Sequence, residues 1–213
     1  TTAMCFAEWS FPELFKHYYG ASLHGLPLTL QVADLGGPLL LTGLLTAANV
    51  GLYELSLAYK NRRIERRSVA VVAALWAATL LYGSYRIHEV DERAAAAPKI
   101  RVGLIQTNMG LTEKRDDPRE GLTRHIEQSL ELQKKQKIDL LVWPESAFGW
   151  FLPEHVKNVR NIVFHQAIST PTLFGGLSQR DRDDRIQAYN TAFMTDADGT
   201  IVGTYDKTYL LAF

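Results

Sequence analysis

The chain has a single cysteine, Cys5, and no excess charge of either sign, since 23 lysines and arginines are balanced by 23 aspartates and glutamates. One thiol excludes an intramolecular disulfide and a cysteine-based zinc site, and zero net charge removes the electrostatic basis for binding nucleic acid. The six histidines (17, 24, 88, 125, 155 and 165) have no HExxH or paired spacing, so neither a metal nor a cofactor is expected. Gly175-Gly176 lacks the spacing of a dinucleotide fingerprint. Asp196 and Asp198 begin like a calcium loop, but Ile201 stands where glycine is needed and the closing glutamate is missing, so this stretch reads as a turn. Arg180–Arg185 (RDRDDR) reads as a solvated loop of mixed charge. The start has no charged region, short apolar stretch and cleavage site, which excludes a signal peptide. With Thr1 in place of an initiator methionine, the chain is expected to begin inside a longer protein.

The balance conceals two unlike halves. Residues 1–97 carry 8 basic and 8 acidic side chains, and residues 98–213 carry 15 of each. The first half holds two uncharged runs, 19 residues over 35–53 and 18 over 68–85. As helices, at about 1.5 Å per residue, each extends roughly 27–28 Å, close to the ~30 Å hydrocarbon core of a bilayer. Buried core helices of a soluble protein are the alternative, but runs of this length have no polar face to show to water. Two transmembrane helices are therefore expected within 35–85, at about 35–57 and 68–85. Between them, 60–67 (KNRRIERR) has five basic residues and one acidic, whereas acidic residues outnumber basic ones over 1–34 and 86–93. The positive-inside rule makes the loop cytoplasmic and both flanks extracytoplasmic.

Residues 1–34 interleave Trp9, Phe11, Phe15, Tyr18 and Tyr19 with Pro12, Gly20, Gly25 and Pro27. Such rings favour a headgroup zone, so an extracytoplasmic loop on the membrane surface is expected, the alternative being a poorly ordered remnant whose missing neighbours would have packed it. Residues 86–98, ending DERAAAAP, read as a linker. From 99 the pattern changes. Lys99–Asn108 alternates like a strand, Pro118–Lys137 has helical spacing along Leu122, Ile126, Leu130 and Gln133, and Ile138–Trp143 is a short buried strand. Pro153–Ser169 is a helix candidate and Thr172–Leu177 another strand. Tyr189–Thr195 and Ile201–Tyr205 flank the turn at Asp196–Gly199 as a hairpin. That order indicates a layered α/β domain.

Two side chains carry candidate chemistry. Glu145 follows the buried run at the carboxyl end of a strand, where open α/β folds hold their ligands. Beside Trp143, Phe148 and Trp150 it could be desolvated into a useful base. Lys207 ends the strand Ile201–Tyr205, and two strand ends can converge on one cleft. Each has a plainer reading, with Glu145 capping its turn and Lys207 pairing with Asp206 at the surface.

The stretch 142–147 (VWPESA), the opening strand 101–108 ending QTN, Gly175-Gly176 and 205–207 (YDK) resemble the carbon-nitrogen hydrolase (nitrilase) superfamily. With membrane spans directly before them, about residues 35–213 are similar to its apolipoprotein N-acyltransferase branch of the bacterial inner membrane. The resemblance implies an incomplete nitrilase-like α-β-β-α sandwich over 99–213, truncated before the nucleophile and preceded by a transmembrane helical hairpin, with the catalytic domain periplasmic. It implies Glu145 as general base and Lys207 as oxyanion stabiliser of a Glu-Lys-Cys triad. The nucleophile is absent from this chain: Cys5 precedes both spans and reads as a small, partly buried thiol. The implied reaction moves an acyl chain from a phospholipid donor, through a cysteine thioester, to the N-terminal diacylglyceryl-cysteine of an apolipoprotein acceptor. The bilayer is the further partner. Residues 1–213 by themselves are expected to be inactive, with unpaired sheet edges that promote aggregation. A membrane-tethered amidase or nitrilase and a non-catalytic membrane module are the alternatives. Arg115 follows Lys114 where the family usually has tryptophan, which bears on substrate entry.

Overall fold

The computed structural model describes residues 1–13, 15–61, 66–182 and 185–208. The chain divides into two compact units, one formed by Thr1–Ala97 and one beginning at Pro98.

In the first unit two short helices, α1 (Thr2–Ser10) and α2 (Pro27–Leu30), precede α3 (Ala33–Asn61) and α4 (Arg66–Ala96), in which the two uncharged runs lie. Helix α3 breaks at Gly36-Gly37, where Gly37 has φ 63° and ψ −167°. That conformation is open essentially to glycine alone, and the proline that follows, Pro38, resumes the helix. At this end Asp34 accepts hydrogen bonds from the Tyr82 hydroxyl at 3.0 Å and from Arg86 Nε at 2.8 Å, joining α3 to α4. The core helix of a soluble protein is mostly buried, whereas only 28% of the apolar window of α3 and 11% of that of α4 is buried. Both helices are long and apolar enough to cross a membrane.

Two expectations for this unit change. The linker over 86–98 is helical as far as Ala96, because alanine is the strongest helix former and Arg86 and Arg93 both pair with Glu89 along the helix face. The surface loop over 1–34 contains short helical pieces, α1 (Thr2–Ser10), a 3-10 turn (Tyr19–Gly25) and α2 (Pro27–Leu30). Its rings Phe6, Trp9, Phe11, Phe15 and Tyr19 are nevertheless exposed. Of the basic loop, Arg62, Arg63, Ile64 and Glu65 lie outside the described residues.

The second unit is built on a sheet. Strands β1 (Val102–Leu104) and β2 (Leu140–Val142) pair in parallel, joined through α5 (Leu111–Asp116) and α6 (Pro118–Lys135). β3 (Phe148–Pro153) and β2 both pair in parallel with β4 (Thr172–Arg182). β4, β5 (Arg185–Thr195) and β6 (Ile201–Asp206) continue antiparallel. α6 starts where the sequence places it. Asp117 Oδ1 accepts the Glu120 N–H at 3.0 Å, and Pro118 occupies the first turn, where its missing N–H costs nothing. Its buried side carries Leu122, His125 and Ser129, and the Trp143 indole donates to Ser129 Oγ at 2.9 Å, which docks the helix on the end of β2.

Because strand residues alternate faces, Leu141, Phe174 and Phe193 enter the core under α6 while Val102, Leu104 and Tyr205 are exposed on the other face. One face of the sheet is packed and the other open, as an incomplete sandwich requires. Leu141 is 0% exposed and Leu104 is 74% exposed. In these 213 residues, Leu141→Ala is therefore expected to cost about 2–5 kcal/mol in urea unfolding, and Leu104→Lys less than about 0.5 kcal/mol. Equal costs would contradict this assignment of faces.

The helix expected over Pro153–Ser169 does not form. Pro153 ends β3, and the segment after it is tied to the β5–β6 turn: Asn158 Nδ2 donates to the Asp198 carbonyl at 3.0 Å, the Val159 N–H to Gly199 O at 2.8 Å, and the Ile201 N–H to Lys157 O at 2.8 Å. The Val159 carbonyl then accepts N–H groups from Ile162, Val163 and Phe164, a cluster of turns. These turns bury Val159, Val163, Phe164 and Ile168 at nearly helical spacing, and β-branched residues do little to favour a helix. Arg180–Arg182 and Arg185, read as a loop, belong to the paired ends of β4 and β5; Asp183 and Asp184 lie outside the described residues. The hairpin flanking Asp196–Gly199 forms as expected.

Candidate active site

β2 leaves β4 after Val142 pairs with Leu173, and β3 takes over where Phe148 pairs with Gly176. Across this break Trp143 stays bonded to the sheet, its N–H donating to Leu173 O at 2.9 Å with its ring in the core. Pro144, Glu145 and Ser146 then arch over Gly175. A Cβ on Gly175 would lie 2.8 Å from Glu145 Cα and 2.8 Å from Ser146 N, so only glycine lets the arch come this close. Ser146 turns the chain with φ 56°, a left-handed conformation uncommon outside glycine. Gly175→Ala is expected to lift the arch off β4 at a cost of about 1–3 kcal/mol. A structure of that variant with the Glu145 contacts described below intact would contradict it.

The facing side chains come from β5 and β6. Alternation puts Asn190 and Ala192 with Tyr205 on one face and Thr191 with Asp206 on the other. Asp206 is engaged there: Oδ1 accepts from Thr191 Oγ1 at 2.8 Å and from Arg180 Nη2 at 2.9 Å, while Oδ2 pairs with Arg180 Nη1 at 2.7 Å. Lys207 follows β6, its main-chain N–H donating to Asn190 O at 2.8 Å. Its Nζ donates to Glu145 Oε1 at 3.3 Å, so the partner of Lys207 is Glu145 and not Asp206. The same Oε1 accepts from Asn190 Nδ2 at 2.6 Å. These groups line a cavity of about 320 Å³ together with Trp143, Leu173, Gly175 and Tyr205.

The desolvation expected of Glu145 is not found. Its side chain is 63% exposed and that of Lys207 is 39% exposed. Trp143 is turned into the core, and Phe148 and Trp150 contact each other, ring centroids 5.3 Å apart, in a separate cavity against Leu122 and Ile126 of α6. Chemically, a carboxylate beside an ammonium at strand ends unites a proton acceptor with a cation able to stabilise a developing oxyanion. Cys5 lies in α1, half-buried, with its thiol donating to Leu39 O at 3.7 Å. Among the described residues no cluster of three His, Cys, Asp or Glu side chains could hold a metal. Arg115 lies in α5, and its bearing on substrate entry falls on a side chain outside those described. Sequence reasoning missed Asn190. An amide in the middle of a strand, a position that disfavours Asn, was the available signal.

Comparison with known proteins matches the sequence to a family. The carbon-nitrogen hydrolase model covers residues 101–212. An apolipoprotein N-acyltransferase from Geobacter metallireducens is 29% identical over 196 residues, which is 88% of this chain and 36% of that protein. One from Rhizobium leguminosarum bv. trifolii is 26% identical over 204 residues, 91% of this chain and 37% of that protein. One from Bradyrhizobium diazoefficiens is 28% identical over 163 residues, 72% of this chain and 30% of that protein. The chain thus spans about a third of the length of these curated relatives.

Proposed function

The chain belongs to the carbon-nitrogen hydrolase family, and from that premise we propose that the full-length protein is a membrane-bound N-acyltransferase that matures lipoproteins. The observation that carries this reading is the convergence of Glu145 and Lys207, 3.3 Å apart in one cavity, in a chain that also holds two long, largely unburied apolar helices. The curated relatives, all apolipoprotein N-acyltransferases, support the same substrate class.

In the proposed reaction the nucleophile is a cysteine thiol outside these 213 residues. Glu145 takes its proton, and the thiolate attacks the ester carbonyl carbon of a phospholipid acyl chain. Negative charge gathers on the carbonyl oxygen beside Lys207. The ester C–O bond breaks, the lysophospholipid alkoxide leaves with the proton held by Glu145, and a thioester remains. The α-amine of a diacylglyceryl-cysteine at the N-terminus of an apolipoprotein then attacks the thioester carbonyl. Glu145 receives the amine proton and returns it to the departing thiolate, so an amide forms and the enzyme is restored. Water would hydrolyse the thioester, and transfer prevails where the site excludes it.

On this reading α3 and α4 are membrane spans of the bacterial inner membrane. The basic stretch around Lys60 and Arg67 lies on the cytoplasmic side, and the α/β domain on the periplasmic side. The exposed rings of residues 1–34 suit a headgroup zone. A tethered amidase would use the same carboxylate and ammonium on small amides. Both readings need α3 and α4 as spans, and the curated relatives, apolipoprotein N-acyltransferases, favour the lipid substrate. To test this, full-length protein in detergent is given phosphatidylethanolamine and a diacylglyceryl-cysteine peptide, and separately small aliphatic amides. N-acylated peptide without amide turnover is expected, and amide turnover without peptide acylation would establish the tethered amidase instead.

A further inference from the structure

Asn190 grips both halves of the site. Its side-chain Nδ2 donates to Glu145 Oε1 at 2.6 Å, and its main-chain carbonyl accepts the Lys207 N–H at 2.8 Å. No other residue among the described contacts bonds to both. The residue sits inside β5, between Tyr189 and Thr191, which are held by the antiparallel ladder to β4 at Ser178 and Gly176. The amide is therefore anchored by strand pairing, whereas Glu145 rides on an arch that crosses a break in the sheet. An anchored donor facing a carboxylate on a loop is the arrangement that fixes the rotamer of the carboxylate.

We infer that Asn190 is a positioning residue, holding the Glu145 carboxylate in register with Lys207 and setting its readiness to accept a proton. The inference rests on the proposed function of Glu145 as general base. A neutral N–H donor on Oε1 favours the ionised carboxylate. Losing that donor moves proton acceptance by Glu145 to higher pH and lets the carboxylate turn away from the thiol. The other titratable groups lining the cavity are Lys207 and Tyr205; Asp206 is engaged with Arg180 and Thr191 on the opposite face. Of these, Lys207 keeps its main-chain tether in any Asn190 variant, since that bond uses the backbone carbonyl.

The test measures single-turnover thioester formation by full-length protein in mixed micelles of detergent and dipalmitoyl phosphatidylethanolamine across pH 5 to 9. Asn190→Ala is expected to lower the rate at the pH optimum about 10- to 100-fold, with the acidic limb of the profile shifted to higher pH and micelle affinity unchanged. Asn190→Asp sets a second carboxylate against Glu145 and is expected to shift that limb further. Asn190→Gln keeps an amide donor and is expected to recover part of the rate and to return the limb toward its wild-type position. A slower Asn190→Ala enzyme with an unmoved acidic limb would mean a merely structural role and overturn the inference. An unchanged rate and profile would overturn it too. Failure of the underlying reading is distinguished by Glu145→Gln. If that variant still forms thioester at the wild-type rate, Glu145 is not the base, whatever Asn190 does.

Discussion

Full-length protein carrying Glu145→Gln is expected to form thioester about 10²–10⁴-fold more slowly than wild type, the range that one positioned general base contributes. Glutamine has almost the same shape, and its amide oxygen can still accept from Asn190 Nδ2 and Lys207 Nζ, which reach Oε1 at 2.6 and 3.3 Å in the wild type. The fold should therefore survive. The charge left without its carboxylate is the Lys207 ammonium, whose side chain is 39% exposed in residues 1–213. What glutamine cannot do is take a proton. Raising the pH should restore part of the rate, because a thiol ionised by solvent no longer needs the base, and a loss of rate independent of pH would contradict the assigned role.

Lys207→Met carries the second large effect. Removing one donor aimed at a developing oxyanion typically costs about 10²–10³-fold in rate, or roughly 3–4 kcal/mol of transition-state stabilisation. The folding cost should be far smaller. In residues 1–213 the Lys207–Glu145 pair is solvent-accessible on both sides, and pairs of that kind are worth about 0–1 kcal/mol. The two magnitudes differ enough to separate catalysis from stability. Lys207→Met should fall steeply in rate while its urea midpoint hardly moves. Lys207→Arg is not a neutral control, since a planar guanidinium cannot occupy the position of a compact ammonium. If both readouts fell together, the lysine would be holding the domain together and not serving the reaction.

The site was partly legible in the sequence because its two charged groups sit at strand ends. An apolar run ending in Pro144-Glu145 and an alternating strand ending near Lys207 announce themselves by pattern, and the sheet brings such ends to one edge. The arch between them was not legible. It depends on β4 exchanging one partner strand for another at Gly175, a tertiary event that local periodicity does not encode. β3 escaped notice for the same reason, starting three residues after Glu145 with Gly149 in its alternation. The apolar spacing of Val159, Val163 and Phe164 suggested a helix because consecutive turns bury residues at similar intervals. The desolvation of Glu145 was inferred from its neighbours in sequence. Trp143, Phe148 and Trp150 are close along the chain, yet they turn toward the core and the α6 side.

In the helical unit the sequence spoke more plainly. Uncharged runs of this length have few structural outcomes, and both became helices that bury little of their apolar surface. Their extension was harder to read. The stretch DERAAAAP reads as a linker, but Arg86 and Arg93 pair with Glu89 along one helix face as α4 continues to Ala96.

The intact mass of the full-length protein after incubation with phospholipid alone, followed by peptide mapping, tests the central claim most directly. An increment of one acyl chain, released by hydroxylamine, is predicted on a cysteine outside residues 1–213, with Glu145→Gln and Lys207→Met far behind the wild type at an incubation time that just acylates it. No increment on the wild-type protein, or an increment mapped to Cys5, would contradict the account.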